Sequence, residues 1–254
     1  MSRVPGLPDA SLAQSLDGAA RYERAHEPTS VAVPRREVIQ AEAVGWLQTH
    51  QATELDAVVT SLPDVSEMTG QDLSSWREWF IATVRLILSW IPEQGVGVFF
   101  QSDIRRGAHW VDKSYLVNRA GELEGATLLW HKIVCRRPAG AVAVGRPSYS
   151  HMLCLTRHPR GLPIRPGPDV LPDAGYMPWS RAMGVEACRV ACQFLLDETP
   201  CRRVVDPFCG QGTVLAVANA LGLDALGIDL GGKRCRLARN MKVELGRSGT
   251  TNPG

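Results

Sequence analysis

Two segments of this 254-residue chain carry side chains spaced for chemistry. The first runs from Val204 to Leu230 and reads VVDPFCGQGTVLAVANALGLDALGIDL. A short apolar strand leads into Asp206, the chain turns through Gly210 and Gly212, and a helix is expected to open at Thr213. Glycines in such a turn let backbone N–H groups approach a ligand closely, and the helix start favours a negative group. A second strand ends at Asp229, where a carboxylate can accept both hydroxyls of a ribose. A glycine pair of this kind also occurs in dinucleotide sites. Two details point instead to S-adenosylmethionine. Leu215 stands where the dinucleotide pattern has its third glycine, and the Asp206 carboxylate suits a cofactor with an ammonium group and no pyrophosphate.

The second segment is Gly125–Pro168, which contains no Asp or Glu. It holds Lys132, Arg136, Arg137, Arg146, Arg157, Arg160 and Arg165, a local charge of +7 inside a chain whose formal net charge is only +2. A local excess of this size is the electrostatic footprint of a phosphate-bearing partner. A solvated basic surface would give the same composition.

The elements that position these residues follow from periodicity. Strands are expected at Val38–Gln40, Leu55–Thr60, Gly95–Gln101, Leu128–Cys135, Ser150–Thr156, Arg203–Asp206 and Ala225–Asp229. A helical turn runs through Trp46 and Leu47, and apolar residues at helical spacing from Trp76 to Ile91 predict a helix over Leu73–Ile91 that stops before Pro92. Further helices are predicted over Asp112–Ala120, Val185–Leu196, Thr213–Leu221 and Lys233–Leu245. Proline and glycine mark Arg157–Pro178 as a linking segment. Strands alternating with helices imply an α/β fold, a doubly wound and mostly parallel sheet covered on both faces. Residues 31–254 read as one domain behind a flexible N-terminal arm at 1–30. No apolar run approaches the ~18 residues that span a bilayer. The N-terminus lacks the apolar core of a secretion signal, and seven cysteines without a CxxC pair suit reduced thiols, so a cytoplasmic location is expected. Cys188 and Cys192, four apart on a predicted helix, read as small buried hydrophobes.

Asp206-Pro207-Phe208-Cys209-Gly210-Gln211-Gly212-Thr213 resembles the cofactor motif of methyltransferases that modify exocyclic amino groups of adenine or cytosine. The order of segments resembles the permuted branch, with a catalytic half (36–156) ahead of a cofactor half (180–245). The resemblance implies a Rossmann-like methyltransferase fold and S-adenosyl-L-methionine as cofactor. It places Glu42 against the cofactor adenine and adds Phe208, Thr213 and Leu230 to the cofactor residues Asp206, Gly210, Gly212 and Asp229. At the helix before the cofactor strand the family often has Lys-Pro, where this chain has Met183-Gly184.

The family's catalytic tetrapeptide is Asp, Asn or Ser, two prolines and an aromatic; here it is Ser61-Leu62-Pro63-Asp64. An exocyclic amino nitrogen is a poor nucleophile because its lone pair is delocalised into the base. Two acceptors on its N–H bonds pull it towards tetrahedral geometry and aim the lone pair at the methyl group. Ser61 Oγ and the Leu62 carbonyl are expected to fill those roles, while Asp64 stands where the family has an aromatic that stacks on an extruded base and is expected to accept a proton or bind a substrate donor instead. Trp110, Trp130 and Tyr149 are the alternative stacking faces, each also explained as a core or strand aromatic. Lys132, Arg136, Arg137 and Arg146 are the expected substrate contacts, and no metal is expected. The implied partner is nucleic acid, RNA ahead of DNA, because Arg157–Pro178 is too short for a separate recognition domain. A DNA base, a small molecule or a protein as substrate, and a cofactor-binding scaffold role, stay open, as does assembly with a second copy or a partner subunit.

Overall fold

The computed structural model describes residues 33–158 and 167–245. The expected arm at 1–30 lies outside the described residues, as do Arg160 and Arg165. In chain order the strands are β1 (Arg36–Gln40), β2 (Asp56–Thr60), β3 (Gly97–Gln101), β4 (Ile104–Arg106), β5 (His109–Val111), β6 (Thr127–Cys135), β7 (Tyr149–Thr156), β8 (Val170–Leu171), β9 (Arg203–Asp206) and β10 (Asp224–Asp229). The helices are α1 (Ala43–Thr49), α2 (Leu73–Trp90), α3 (Lys113–Leu123), α4 (Val185–Glu198), α5 (Thr213–Ala220) and α6 (Gly232–Asn240).

Eight strands form one sheet in the order β1-β10-β9-β2-β3-β7-β6-β8, and β4 and β5 make a separate antiparallel ribbon. Pairing is parallel from β1 through β3, while β7 runs antiparallel to both β3 and β6. The inner strands β2 and β3 are buried along their whole length, as covering on both faces requires. Alternation sorts their side chains. Ala57 and Val59 join Val98 and Phe100 under α4 and α5, whereas Val58 and Phe99 pack with Trp76, Phe80, Ile87 and Leu88 of α2 on the other face.

Helix ends follow local chemistry. Asp72 caps α2 by accepting from Ser75 N at 2.8 Å, and Pro92 follows its last turn. Asp112 caps α3 by accepting from Tyr115 N at 2.9 Å. The final helix is shorter than its apolar spacing predicts, ending at Asn240 rather than Leu245. Cys188 and Cys192 are buried on α4, and no disulfide joins any of the seven cysteines among the described residues. No helix among the described residues is long and apolar enough to cross a membrane.

From β9 the chain crosses to β10 on one side, and from β2 it proceeds to β3 on the other. The strand order therefore reverses between β9 and β2. Open α/β sheets bind ligands in the crevice outside the carboxyl ends of strands at such a point.

Candidate active site

The glycine loop expected to hold the cofactor leaves the carboxyl end of β9. Asp206, the last residue of that strand, is buried; its Oδ1 accepts from Thr60 Oγ1 at 2.6 Å and from Phe208 N at 3.1 Å. Burial pushes the Asp206 carboxyl up to about 7, with the neighbouring Asp229 charge adding to the rise against those two hydrogen bonds. Asp229 closes β10 and is held from three directions: Oδ2 accepts from Gly210 N at 3.2 Å, and Oδ1 from Gly231 N at 2.6 Å and Arg234 Nε at 2.7 Å. Gly212 opens α5 with φ +85°, and a Cβ there would lie 2.8 Å from Ala238 Cα, so both backbone and neighbour require glycine. No side chain caps that helix start.

Thr213 Oγ1 accepts from Trp179 Nε1 at 3.1 Å, and the Trp179 ring lies against Gly210, 2.8 Å from where a Cβ would stand. Phe208 meets Trp79 edge-on at 6.0 Å. Glu42 caps α1, accepting from Val44 N and Gly45 N at 3.0 and 2.7 Å. Leu230 is largely exposed beyond the end of β10, and its carbonyl accepts from Gln40 Nε2. The sequence reading missed Trp179 and Arg234, because each reaches the loop from outside the motif.

Ser61-Leu62-Pro63-Asp64 follows directly on β2, so Thr60 joins this turn to Asp206 of the cofactor loop. Leu62 is buried, and the Pro63 carbonyl accepts from Trp76 Nε1 at 3.1 Å. Asp64 N donates to Glu67 Oε1 at 3.2 Å, and the Asp64 carboxylate forms an ion pair with the buried Lys113 ammonium. The place of Lys113 is fixed in turn, since its backbone N–H donates to Asp103 Oδ1 at 2.9 Å. Asp103 Oδ2 accepts from Trp110 Nε1 at 3.1 Å and faces His151 Nε2 at 3.3 Å, and His151 Nδ1 lies 3.0 Å from His131 Nε2. Burial acts to raise the Asp103 carboxyl, but the hydrogen bonds from His151, Lys113 N and Trp110 hold it below the usual carboxylate range. Burial and the His151 charge lower His131. Asp103, Asp112 and His151 bring three atoms able to ligate a metal within 4.8 Å of one another, and each side chain is already hydrogen-bonded within the protein. No motif links these residues in sequence; the turn after β2, the β3–β4 link, β5, the start of α3, β6 and β7 bring them together.

A cleft of ≈ 520 Å³ opens beside the turn. Ser61, Leu62 and Asp64 line it together with Arg136, Arg137 and Arg146 from the β6–β7 connection. Arg105 and Arg106 of β4, and Arg181, add charge that the sequence reading did not assign. Lys132 corrects an expectation. Its side chain is buried and its Nζ donates to the carbonyls of Gly167 and Pro168, so it braces the loop after β7 instead of facing the cleft. Arg157 likewise donates to the Ile91 carbonyl. Of the three alternative aromatics, Trp130 packs edge-on against Phe194 and Tyr149 against His151, while Trp110 is half exposed; none lines the cleft.

No family model matches the chain, and no curated protein matches it in sequence. Solved structures do match in shape. A candidate DNA modification methylase from Thermus thermophilus, complexed with S-adenosyl-L-methionine, superposes with TM-score 0.63 at 20% identity, covering 82% of this chain and 92% of that one. The PvuII DNA methyltransferase, cytosine-N4-specific, gives 0.63 at 11% identity over 84% and 89%. The M1.HpyAVI–SAM complex gives 0.54 at 14% identity over 81% and 98%. The chain has a methyltransferase fold. This methyltransferase fold is in permuted order: the strand that carries the Ser61 turn precedes the glycine-loop strand in sequence and lies beside it in the sheet.

Proposed function

We propose that the chain is an S-adenosylmethionine-dependent methyltransferase acting on an exocyclic amino group of a base in DNA. The carrying observation is the 2.6 Å Thr60–Asp206 hydrogen bond, which sets the Ser61 turn against the glycine loop at the strand-order reversal. The donor set fits the cofactor. A buried carboxyl at Asp206 suits an ammonium group, the uncapped start of α5 suits a carboxylate, and Asp229 suits ribose hydroxyls. When bound, the cofactor supplies an electrophilic methyl group. Ser61 Oγ and the Leu62 carbonyl accept the two amino N–H bonds and turn the nitrogen lone pair towards that methyl. Asp64, neutralised by Lys113, holds the turn's shape in place of an aromatic stacking face.

DNA takes the place of the RNA expected from the sequence. Two of the similar solved structures are described as a DNA modification methylase and a DNA methyltransferase, and the arginines of the cleft wall suit phosphates of either polymer. Incubation with methyl-labelled cofactor and, in parallel, duplex DNA, single-stranded DNA, total RNA and protein, followed by nucleoside analysis, tests the proposal. Label in N-methylated adenine or cytosine of DNA is the expected result. Label confined to RNA or protein overturns the substrate, and absence of cofactor binding by calorimetry overturns the whole reading.

A further inference from the structure

Between β6 and β7 the chain reads RRPAGAVAVGRP, residues 136–147. The loop is fastened at its base, where Arg136 N and Arg137 N donate to the Ser148 carbonyl at 2.7 and 3.2 Å. It is braced across its width by Arg137 Nη1, which donates to the Val142 carbonyl at 3.3 Å. At its tip Val142 is 84% and Val144 94% exposed. A single exposed valine is ordinary on any surface. Here two stand at alternate positions, Ala143 between them lines the cleft of Ser61, and arginines flank them at both feet.

The cations and the apolar tip call for different surroundings within a few ångströms. Guanidinium groups favour phosphates, whereas a valine gains only by leaving water. A nucleic-acid duplex offers both, because the space between stacked bases is apolar and lies just inside the phosphate rails. Taking a base out of the stack leaves a gap bounded by two flat base faces, which an aliphatic side chain can fill. We propose that the Val142–Val144 tip enters the stack of duplex DNA at the place vacated by the target base, with Arg136, Arg137 and Arg146 on the flanking phosphates. This rests on the reading of the Ser61 cleft as a base-methylating site. A single strand has no such gap, so the tip confers preference for duplex.

The test uses the full chain with bound cofactor and the double variant Val142→Ser/Val144→Ser. Both side chains are exposed, so the melting temperature should match wild type. Affinities are measured across a salt series for a linear plasmid fragment and for its separated strands. Permanganate reactivity of thymines reports unstacking in the bound duplex. The double variant should bind duplex at least about ten-fold more weakly, bind single strands as wild type does, and lose the permanganate signal. Its salt slope should be unchanged, whereas Arg136→Gln/Arg146→Gln should flatten the slope. Equal duplex affinity and equal permanganate reactivity in the valine variant and wild type overturn the wedge and leave the proposed activity standing. An equal loss on duplex and single strand also overturns the wedge, since the valines then act as general surface. Wild-type protein that binds no duplex DNA, with label appearing only in RNA or nowhere, overturns the wedge and the activity together.

Discussion

A carboxyl group sealed from water at the end of β9, with Asp229 charged one strand away, keeps its proton into the neutral range. Its folded value of about 7 stands above the ordinary 3.8, so between about pH 4 and 7 the folded chain binds more protons than the unfolded one. Stability from this group is therefore present at the acid side of the window and is lost as pH rises through 7. Asp206→Asn should flatten that loss in melting curves recorded from pH 5 to 7.5. An ammonium group placed beside Asp206 draws the proton off. Calorimetry of cofactor binding at pH 6 in two buffers of different ionisation enthalpy should show release of up to about one proton, and Asp206→Asn should show none. Equal apparent enthalpies in the two buffers would sink this placement. Ser61 gives a separate test. Ser61→Ala removes the acceptor proposed to act on the amino group, so kcat should fall about 10- to 100-fold with cofactor affinity unchanged. Wild-type turnover on an identified base would move the chemistry elsewhere. The motif residues Asp206, Gly210, Gly212 and Ser61 were legible because each sits in a local pattern. Lys113, Asp103, His131 and His151 were not, since their meeting depends on strand register and on the start of α3.

Among the elements, Gly212 carries the sharpest demand. Alanine there meets a positive φ and a 2.8 Å approach to the backbone of α6, and together these should destabilise the fold by about 2–4 kcal/mol. Urea denaturation checks it; a loss under about 1 kcal/mol would mean that α6 moves aside without strain. Element type was readable wherever burial imposes a strong period. β2 and β3 each centre on three consecutive apolar residues, Ala57–Val59 and Val98–Phe100, and α2 repeats large apolar residues along one face. What escaped were pieces without a period. β4 and β5 have three residues each, and β8 has two, paired to β6 inside the linking segment. The overlong last helix came from apolar residues at 241–245 that pack on the core without helical backbone: Val243 and Leu245 lie against the same cluster as α4 and α5. Packing and periodicity leave the same signature there.

At the scale of the molecule, six arginines line one cleft in a chain whose overall balance is near neutral. Replacing Arg136, Arg137 and Arg146 together by Gln should weaken duplex binding and reduce the slope of log K against log salt by ~0.9 per lost phosphate contact. Cofactor affinity should be untouched. Unaltered binding at every salt concentration would reduce the acid-free stretch to ordinary surface. The stretch was visible in composition, but which cations face the cleft was not: Lys132 lies in the same run and is buried beneath a loop. The permuted order has a further consequence, for the time at which the sheet can close. β2 gains its neighbour β9 only 147 residues later, through the paired hydrogen bonds of Arg203 to Asp56 at 2.5 and 2.7 Å. On the ribosome, β2 and β3 emerge together, but the side of β2 that will meet β9 is still an open edge. Such long-range pairing slows folding and leaves that edge open to wrong partners until the last quarter of the chain is made. The strand that leads into the Ser61 turn thus keeps one edge open until β9 has been made.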